Sequence, residues 1–362
     1  MAKQKNDVAF VLIGLKKRGV RLKVITSKSL ELKGIGQLPS SEDMDGVSVH
    51  RLYKSPSQLF RFPYAKIHEV LRIAQSLAPD IIFCSNESNM RLALIIKRYC
   101  KVPIVCLVED AGRIFTGEAY TRLKTRFTMG LLGIPGGSKY WSWLCRKASA
   151  LVTCHPRDKW ILDRLSQYKT PVCYIPWPTH VPEGFTSPCS REKYRGVYIG
   201  SLFPFKNTQE FARTLPRILQ ETHTKEFVVV GPGPHSSIVK KLEQETGGAV
   251  KYIRELSREK ALELIASSHY AYTPVVRGGW GFIGDCWSMK TPIVMTHNDD
   301  YVVDRENALV AENEEELVKN INILYDNPEL VKRLQENGYD ESKKRKAEAV
   351  ADELFRLFAS LI

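Results

Sequence analysis

Between Gly196 and Thr296, five short apolar runs alternate with longer mixed segments, and this alternation constrains the chain more than any other feature. The runs are GVYIGSL (196–202), EFVVVG (226–231), AVKYI (249–253), YAYTPVV (270–276) and TPIVMT (291–296). NTQEFARTLPRILQET, SSIVKKLEQET and SREKALELIASS separate the first four, and each has the length and polarity of a helix. A strand that is apolar on both faces must be covered on both faces, which is the condition of a parallel sheet wrapped by helices. The first half repeats the theme. Val8, Val11, Leu12 and Leu15 follow i, i+3, i+4, i+7, so 8–18 is predicted to be a helix ending at Gly19. Strands are predicted in RLKVITS, IIFCS, KVPIVCLVED, KASALVTCH and TPVCYIPWP, with a helix over NMRLALIIKRYC.

At 362 residues the chain exceeds one ordinary core. Prolines 176, 178, 182 and 188, with Gly184 and Ser187 among them, mark the connection between two domains. The predicted division is 1–182, 183–345, and a last helix over 346–362. That helix carries Val350, Leu354, Leu357, Phe358 and Leu361 on one face, and so is expected to pack back toward the first domain. The predicted fold class is α/β, with two doubly wound Rossmann-like domains facing a cleft. Ligands of such sheets sit beyond the carboxyl ends of the strands.

Charge is unevenly placed. Residues 1–180 hold 29 Lys and Arg against 13 Asp and Glu, while the remainder holds 24 against 27. A surface this positive steers anionic partners such as phospholipid headgroups, anionic glycans or nucleic acid; a solvated basic face with no partner would look the same. No helix-turn-helix, RNP-like or zinc pattern is present, which argues against nucleic acid. Eight scattered cysteines without CxxC or CxxH spacing suit reduced thiols, and hence a cytoplasmic setting. No apolar stretch approaches the length of a membrane span, and the apolar start runs into Lys16, Lys17 and Arg18 rather than a cleavage site.

Chemistry concentrates at the predicted strand ends of the second half. Gly200 and Lys206 follow the first strand, Gly231 and Gly233 the second, Arg254 and Glu255 the third, and RGGWGFIGDCWSMK the fourth. Glycines admit a ligand close to the backbone, and a helix start offers unpaired amides to an anion. Lys206 supplies a point charge suited to phosphate, and Asp285 a carboxylate suited to vicinal hydroxyls. Together they describe a pocket for a nucleotide diphosphate. Singly, each has an ordinary reading: a turn at GPGP, a solvated Lys, an acid near a helix start.

This half resembles the donor domain of GT-B glycosyltransferases, in particular retaining family 4. That family shows Glu-Gly-Phe-Gly, four residues, a second Glu, then a segment ending Thr-Pro-Val-Val. Here Arg277-Gly-Gly-Trp is followed by 281–284, Asp285 and CWSMKTPIV. RENALVAEN is similar to the family's next segment, and CYIPWPT to the one before its hinge. The resemblance implies that Asp285 binds the ribose of a nucleotide sugar and that Lys206 binds its phosphate. It further implies that Gly279, Phe282 and Ile283 lie against the donor. Ser201 stands where the family has a phosphate-binding Arg, and Arg277 stands in place of a carboxylate, where it restores the positive charge. The family's first strand and Gly-Gly loop have no counterpart before helix 8–18.

In the first half, Glu109 and Asp110 end a predicted strand where the family often has an acceptor-side His. Either can accept a hydrogen bond from an acceptor hydroxyl or act as base; both can equally cap the next segment. Asp43-Met44-Asp45 falls in a polar loop and carries little weight as a metal motif, and His155 suits a surface or structural role rather than a catalytic one. The segment 117–143 interleaves cations with aromatics, which fits an anionic membrane surface and equally a helix covering the core. The expected function is metal-independent hexosyl transfer, with retention, from a nucleotide diphosphate sugar to a glycan or a lipid-linked or anionic acceptor. Arg277, Glu109 and Asp110 would serve the chemistry, no cofactor would be needed, and the protein would sit at the inner face of a membrane. A GT-B fold kept only for binding and a sugar-nucleotide epimerase are the alternatives.

Overall fold

The computed structural model describes residues 7–27, 38–54, 63–85, 89–108, 111, 138–182, 184–186, 190–275, 280–297 and 300–362. They form two compact units. One takes in Val8–Pro176 and Glu348–Ile362, and the other Trp177–Ala347.

The first unit opens with α1 (Asp7–Lys17) and β1 (Lys23–Ser27), followed by β2 (Ser41–Met44), β3 (Val47–Tyr53) and α2 (Ile67–Leu77). β1 pairs with β3 in parallel and β2 with β3 antiparallel. The hairpin between β2 and β3 turns at Asp45 and Gly46, with φ of 53° and 78°. Two positive φ values in a two-residue turn are what an Asp-Gly pair supplies, and their twist matches that of the strands. The Asp43-Met44-Asp45 motif is therefore a strand end and a turn. The Asp43 carboxylate accepts from the Gly46 amide at 2.5 Å. A second, wholly parallel sheet comprises β4 (Ile82–Cys84), β5 (Ile104–Val108), β6 (Ala150–Thr153) and β7 (Val172–Tyr174) in that order. Among the described residues, α3 (Met90–Cys100), α4 (Ser138–Cys145) and α5 (Asp158–Leu165) are the further helices of this unit up to the crossing. β5 and β6 are buried along their full length, as their unbroken apolar runs require.

The second unit holds one six-stranded parallel sheet. Its elements are β8 (Glu192–Ile199), α6 (Phe211–Glu221), β9 (Glu226–Val230), α7 (Ser236–Glu245), β10 (Val250–Ile253) and α8 (Arg258–Ser267). They continue as β11 (Ser268–Thr273), α9 (Trp280–Ser288), β12 (Ile293–Met295), β13 (Leu309–Val310), α10 (Glu314–Asp326) and α11 (Pro328–Lys343). The strand order is β10-β9-β8-β11-β12-β13. Edge-to-face aromatic contacts fill its core, among them Tyr198–Phe211 at 5.0 Å and Phe211–Tyr272 at 5.9 Å. Trp287 is fully enclosed and its indole N–H donates to the Asn307 carbonyl at 2.8 Å.

Near both crossings of the chain, the outgoing and returning segments are zipped together. The Thr179 amide donates to the Arg345 carbonyl at 2.7 Å, and the Ala347 amide to the Thr179 carbonyl at 3.1 Å. The Arg345 guanidinium is buried, lies 4.0 Å over the Trp280 ring and 4.7 Å over Tyr301, and bonds Glu341 at 2.7 Å. The final helix, α12 (Ala347–Ala359), then packs within the first unit. Arg18 meets Asp352 at 2.5 Å, and the rings of Phe83 and Phe358 lie 5.6 Å apart.

Replacing Trp287 by Ala leaves a cavity and an unpaired Asn307 carbonyl. The second unit should lose about 3–5 kcal/mol of stability, measured by urea unfolding with tryptophan fluorescence and circular dichroism together.

Candidate functional site

In the six-stranded sheet the chain winds outward from β8 in one direction and from β11 in the other. Such a reversal leaves a crevice beyond the carboxyl ends of the two central strands. Because every pair in this sheet is parallel, the segments after β8, β9, β10, β11 and β12 emerge on that one edge. Side chains tie them into a unit. The Asn207 amide donates to the Pro274 carbonyl at 3.4 Å and lies 3.3 Å from His297 Nε2. Thr208 Oγ1 lies 2.9 Å from His235 Nδ1. Asn207 adopts a left-handed conformation (φ 53°), one that Asn tolerates better than most residues.

The glycines of this edge serve each other first. Gly231 has φ of 147°, and a Cβ there would fall 1.8 Å from the Gly200 carbonyl oxygen. At Gly233 (φ 154°) a Cβ would fall 2.3 Å from the Leu202 carbonyl oxygen. The Gly200 amide donates to Val230, the Leu202 amide to Pro232 and the His235 amide to Leu202, at 2.9, 2.8 and 3.0 Å. The close approach visible here is loop against loop.

Lys206 is half-buried at the end of a single 3-10 turn, Pro204–Lys206, directly after the Gly200 loop. Arg254 and Glu255 are exposed where β10, the edge strand, ends. The side chains of Phe282 and Ile283 lie in the core, the Phe282 ring 5.2 Å from that of Tyr198. α9 is apolar around nearly its whole circumference, with Trp280, Phe282, Ile283, Cys286 and Trp287 buried. Phe282 and Ile283 thus stand in the first turn of α9 with their side chains in the core.

Asp285 stands on the second turn of α9 and is engaged by Arg258, the first residue of α8. Both guanidinium nitrogens reach the carboxylate, Nη1 to Oδ2 and Nη2 to Oδ1, each at 2.5 Å. Nη2 also donates to the His180 carbonyl at 2.7 Å. Nothing in the sequence pointed to Arg258. It follows an N-cap, Ser257, whose hydroxyl accepts from the Lys260 amide, and a basic residue there carries no pattern of its own. Asn207, His235 and His297 were likewise unmarked, because their partners lie on other strand ends.

Arg277 and Gly279 lie outside the described residues, as do Glu109 and Asp110. The latter two directly follow β5, and the next residue, Ala111, has its amide bound at 2.7 Å by the buried carboxylate of Asp158. Asp158 thus caps this strand end, a role the sequence left open for Asp110. His155 is half-buried after β6, its amide donating to Thr153 Oγ1 at 3.2 Å. Among the described residues no three His, Cys, Asp or Glu side chains gather in a way that would hold a metal ion.

Residues 193–327 match the family model of glycosyl transferases group 1. No curated protein sequence matches the chain. Among solved structures, sucrose-phosphate synthase from Thermosynechococcus elongatus superposes with a TM-score of 0.74 at 14% identity, over 96% of this chain and 90% of that one. The trehalose-6-phosphate structure from E. coli bound with UDP-2-fluoro glucose gives 0.71 at 12% identity, over 100% and 98%. Anabaena HepE in complex with UDP-glucose gives 0.69 at 14%, over 100% and 98%. The chain has the GT-B fold of these glycosyltransferases, with two Rossmann-like domains.

The Gly231 contact yields a direct test. Gly231→Ala must push the 200–202 backbone aside, and should cost more than about 1 kcal/mol of stability in chemical denaturation.

Proposed function

We propose that this GT-B chain transfers a hexose from a nucleotide diphosphate sugar to an acceptor hydroxyl. The observation that carries this reading is the emergence of five strand-end segments on one edge of the sheet, with the reversal between β8 and β11 next to the strand that leads into α9. It falls within the segment that matches group 1 glycosyl transferases. The α9 amides and Lys206 suit the diphosphate, and Asp285 suits the ribose. The matched structures of E. coli and Anabaena hold UDP-sugars, which favours a uridine donor here. In this reading the departing diphosphate is stabilised by fixed amides and Lys206, with neither metal nor cofactor. The acceptor attacks the face the diphosphate leaves, so that configuration is retained.

The expected outcome is a thermal shift with one class among UDP-, ADP- and GDP-sugars, reduced about tenfold in apparent affinity by Lys206→Ala. Released nucleotide together with a labelled acceptor marks a transferase. Donor isomerised without acceptor marks an epimerase, and binding without turnover marks a binding module.

The acceptor in this reading is anionic or lipid-linked, met at the inner face of a membrane. The surface of α5 supports it. Trp160 is 49% exposed with Arg164 stacked 5.1 Å over it, Tyr168 is 74% exposed, and Arg157, Lys159 and Lys169 are exposed on the same stretch of chain. Arg146, at the end of α4, joins through a 3.1 Å bond to Gln167. Exposed aromatics among cations suit a headgroup layer, and no described helix is long and apolar enough to cross a membrane. Vesicles containing phosphatidylglycerol should sediment the protein, while pure phosphatidylcholine vesicles should not. Trp160→Ala with Arg164→Glu should abolish that difference.

A further inference from the structure

In the first unit, two strands lack a neighbour on one side among the described residues. β1 is paired with β3 and β4 with β5, and neither has a strand on its other edge. The ladders show which backbone groups face those edges. The Ile82 amide donates toward β5, to the Pro103 carbonyl at 3.0 Å, so the amide and carbonyl of Phe83 face away from β5. The Arg51 amide donates toward β2, to the Ser40 carbonyl at 2.7 Å, so His50 faces β1. Its register partner, Ile25, then turns its own amide and carbonyl away from β3. The two open edges border one core, because Ile25 and Ile82 pack against the same cluster of Tyr53, Val70, Ala74, Leu92 and Ile96. β1 and β4 are mostly half-buried, whereas β5 and β6, with a strand on each side, are buried throughout. Apolar strands left half-covered, with backbone groups open on the facing edges, make an incomplete sheet.

We infer that the gap between β1 and β4 is a strand-insertion site, filled by an extended apolar segment of a second polypeptide running parallel to β1. Open ladders select a peptide over a lipid or a glycan, since only a peptide repeats donors and acceptors at strand spacing. A strand seated there lies about 4.8 Å from each neighbour and bonds Ile25 on one side and Phe83 on the other. Both of its faces are covered, so it must be apolar on both. Its amino end arrives beside exposed Lys17 and Arg21, at the start of β1, which an acidic residue ahead of the strand complements. The residues ahead of α1 include Lys3, Gln4, Lys5 and Asn6, a composition unsuited to an interior strand. The inference is independent of the nucleotide-sugar reading of the second unit.

The test is amide hydrogen exchange on the full chain, read residue by residue by NMR. The probe is a synthetic octapeptide of two acidic residues followed by alternating Val and Ile. Without it, the Ile25 and Phe83 amides should exchange about tenfold faster, or more, than those of Ile82 and β5. Saturating peptide should slow Ile25 and Phe83 together by about tenfold. A peptide with prolines in place of its isoleucines lacks the N–H groups of the ladder and should slow neither. Lysines in place of its acidic pair should weaken binding at low salt. If Ile25 and Phe83 are as protected as β5 without any peptide, there is no gap and the inference is overturned. Protection of one strand alone, or of neither, overturns it as well. If a strand fused ahead of Met1 protects both residues while the free peptide at millimolar concentration protects neither, the site takes its strand from the same chain, and the second polypeptide is overturned as occupant.

Discussion

The carboxyl edge of the second sheet depends on one steric constraint, the contact of main chain with main chain between residues 200–202 and 230–235. Amides of Gly200, Leu202 and His235 and carbonyls of Val230, Leu202 and Pro232 bond across this gap, so the two loops behave as an extension of the ladder below them. No side chain fits there, because a Cβ at 231 or 233 would enter a carbonyl group. Once these loops are locked, Lys206 emerges from a fixed base, and Asn207 reaches Pro274 and approaches His297 on the other side of the reversal. The described part of this edge is thus held by backbone contacts, and a ligand bound there would meet a lower ordering cost.

A second layer of organisation is ionic and aromatic, and it is anchored to the residues near the chain crossings. Arg258 binds Asp285 and the carbonyl of His180, and the neighbouring Thr179 bonds the backbone of Arg345 and Ala347. Arg345 in turn is clasped by Trp280, Tyr301 and Glu341. The start of α9, its carboxylate and both passing segments of chain therefore share one network within the second unit. Guanidinium groups hold such a network well because their planar forks fix direction as well as charge, and because their flat faces can stack on rings.

Several features were legible in the residues and others were not, for reasons that differ. The run EFVVVG could only be an interior strand, since no exposed strand would be so apolar. The Asp-Gly pair at 45–46 is a hairpin turn signal, but the stretch around it was read only as a polar loop carrying a metal motif of little weight, and the strands on either side went unmarked. Phe282 and Ile283 were read as donor contacts from a resemblance of spacing. Their side chains lie in the core, the Phe282 ring beside that of Tyr198. Gly231 and Gly233 were marked as places where a ligand comes close to the backbone; in the structure the neighbouring loop lies close to both.

By itself, the sequence determined the alternation of strand and helix, the parallel sheet it enforces, and the edge at which polar and glycine residues collect. Those follow from local periodicity and from the need to cover apolar strands on both faces. The tertiary structure alone decided which of those residues meet. The pairing of Arg258 with Asp285, of Asp158 with the Ala111 amide, and of Arg345 with two rings joins positions separated by tens of residues. Each is set by strand order and helix packing, and no spacing along the chain encodes it.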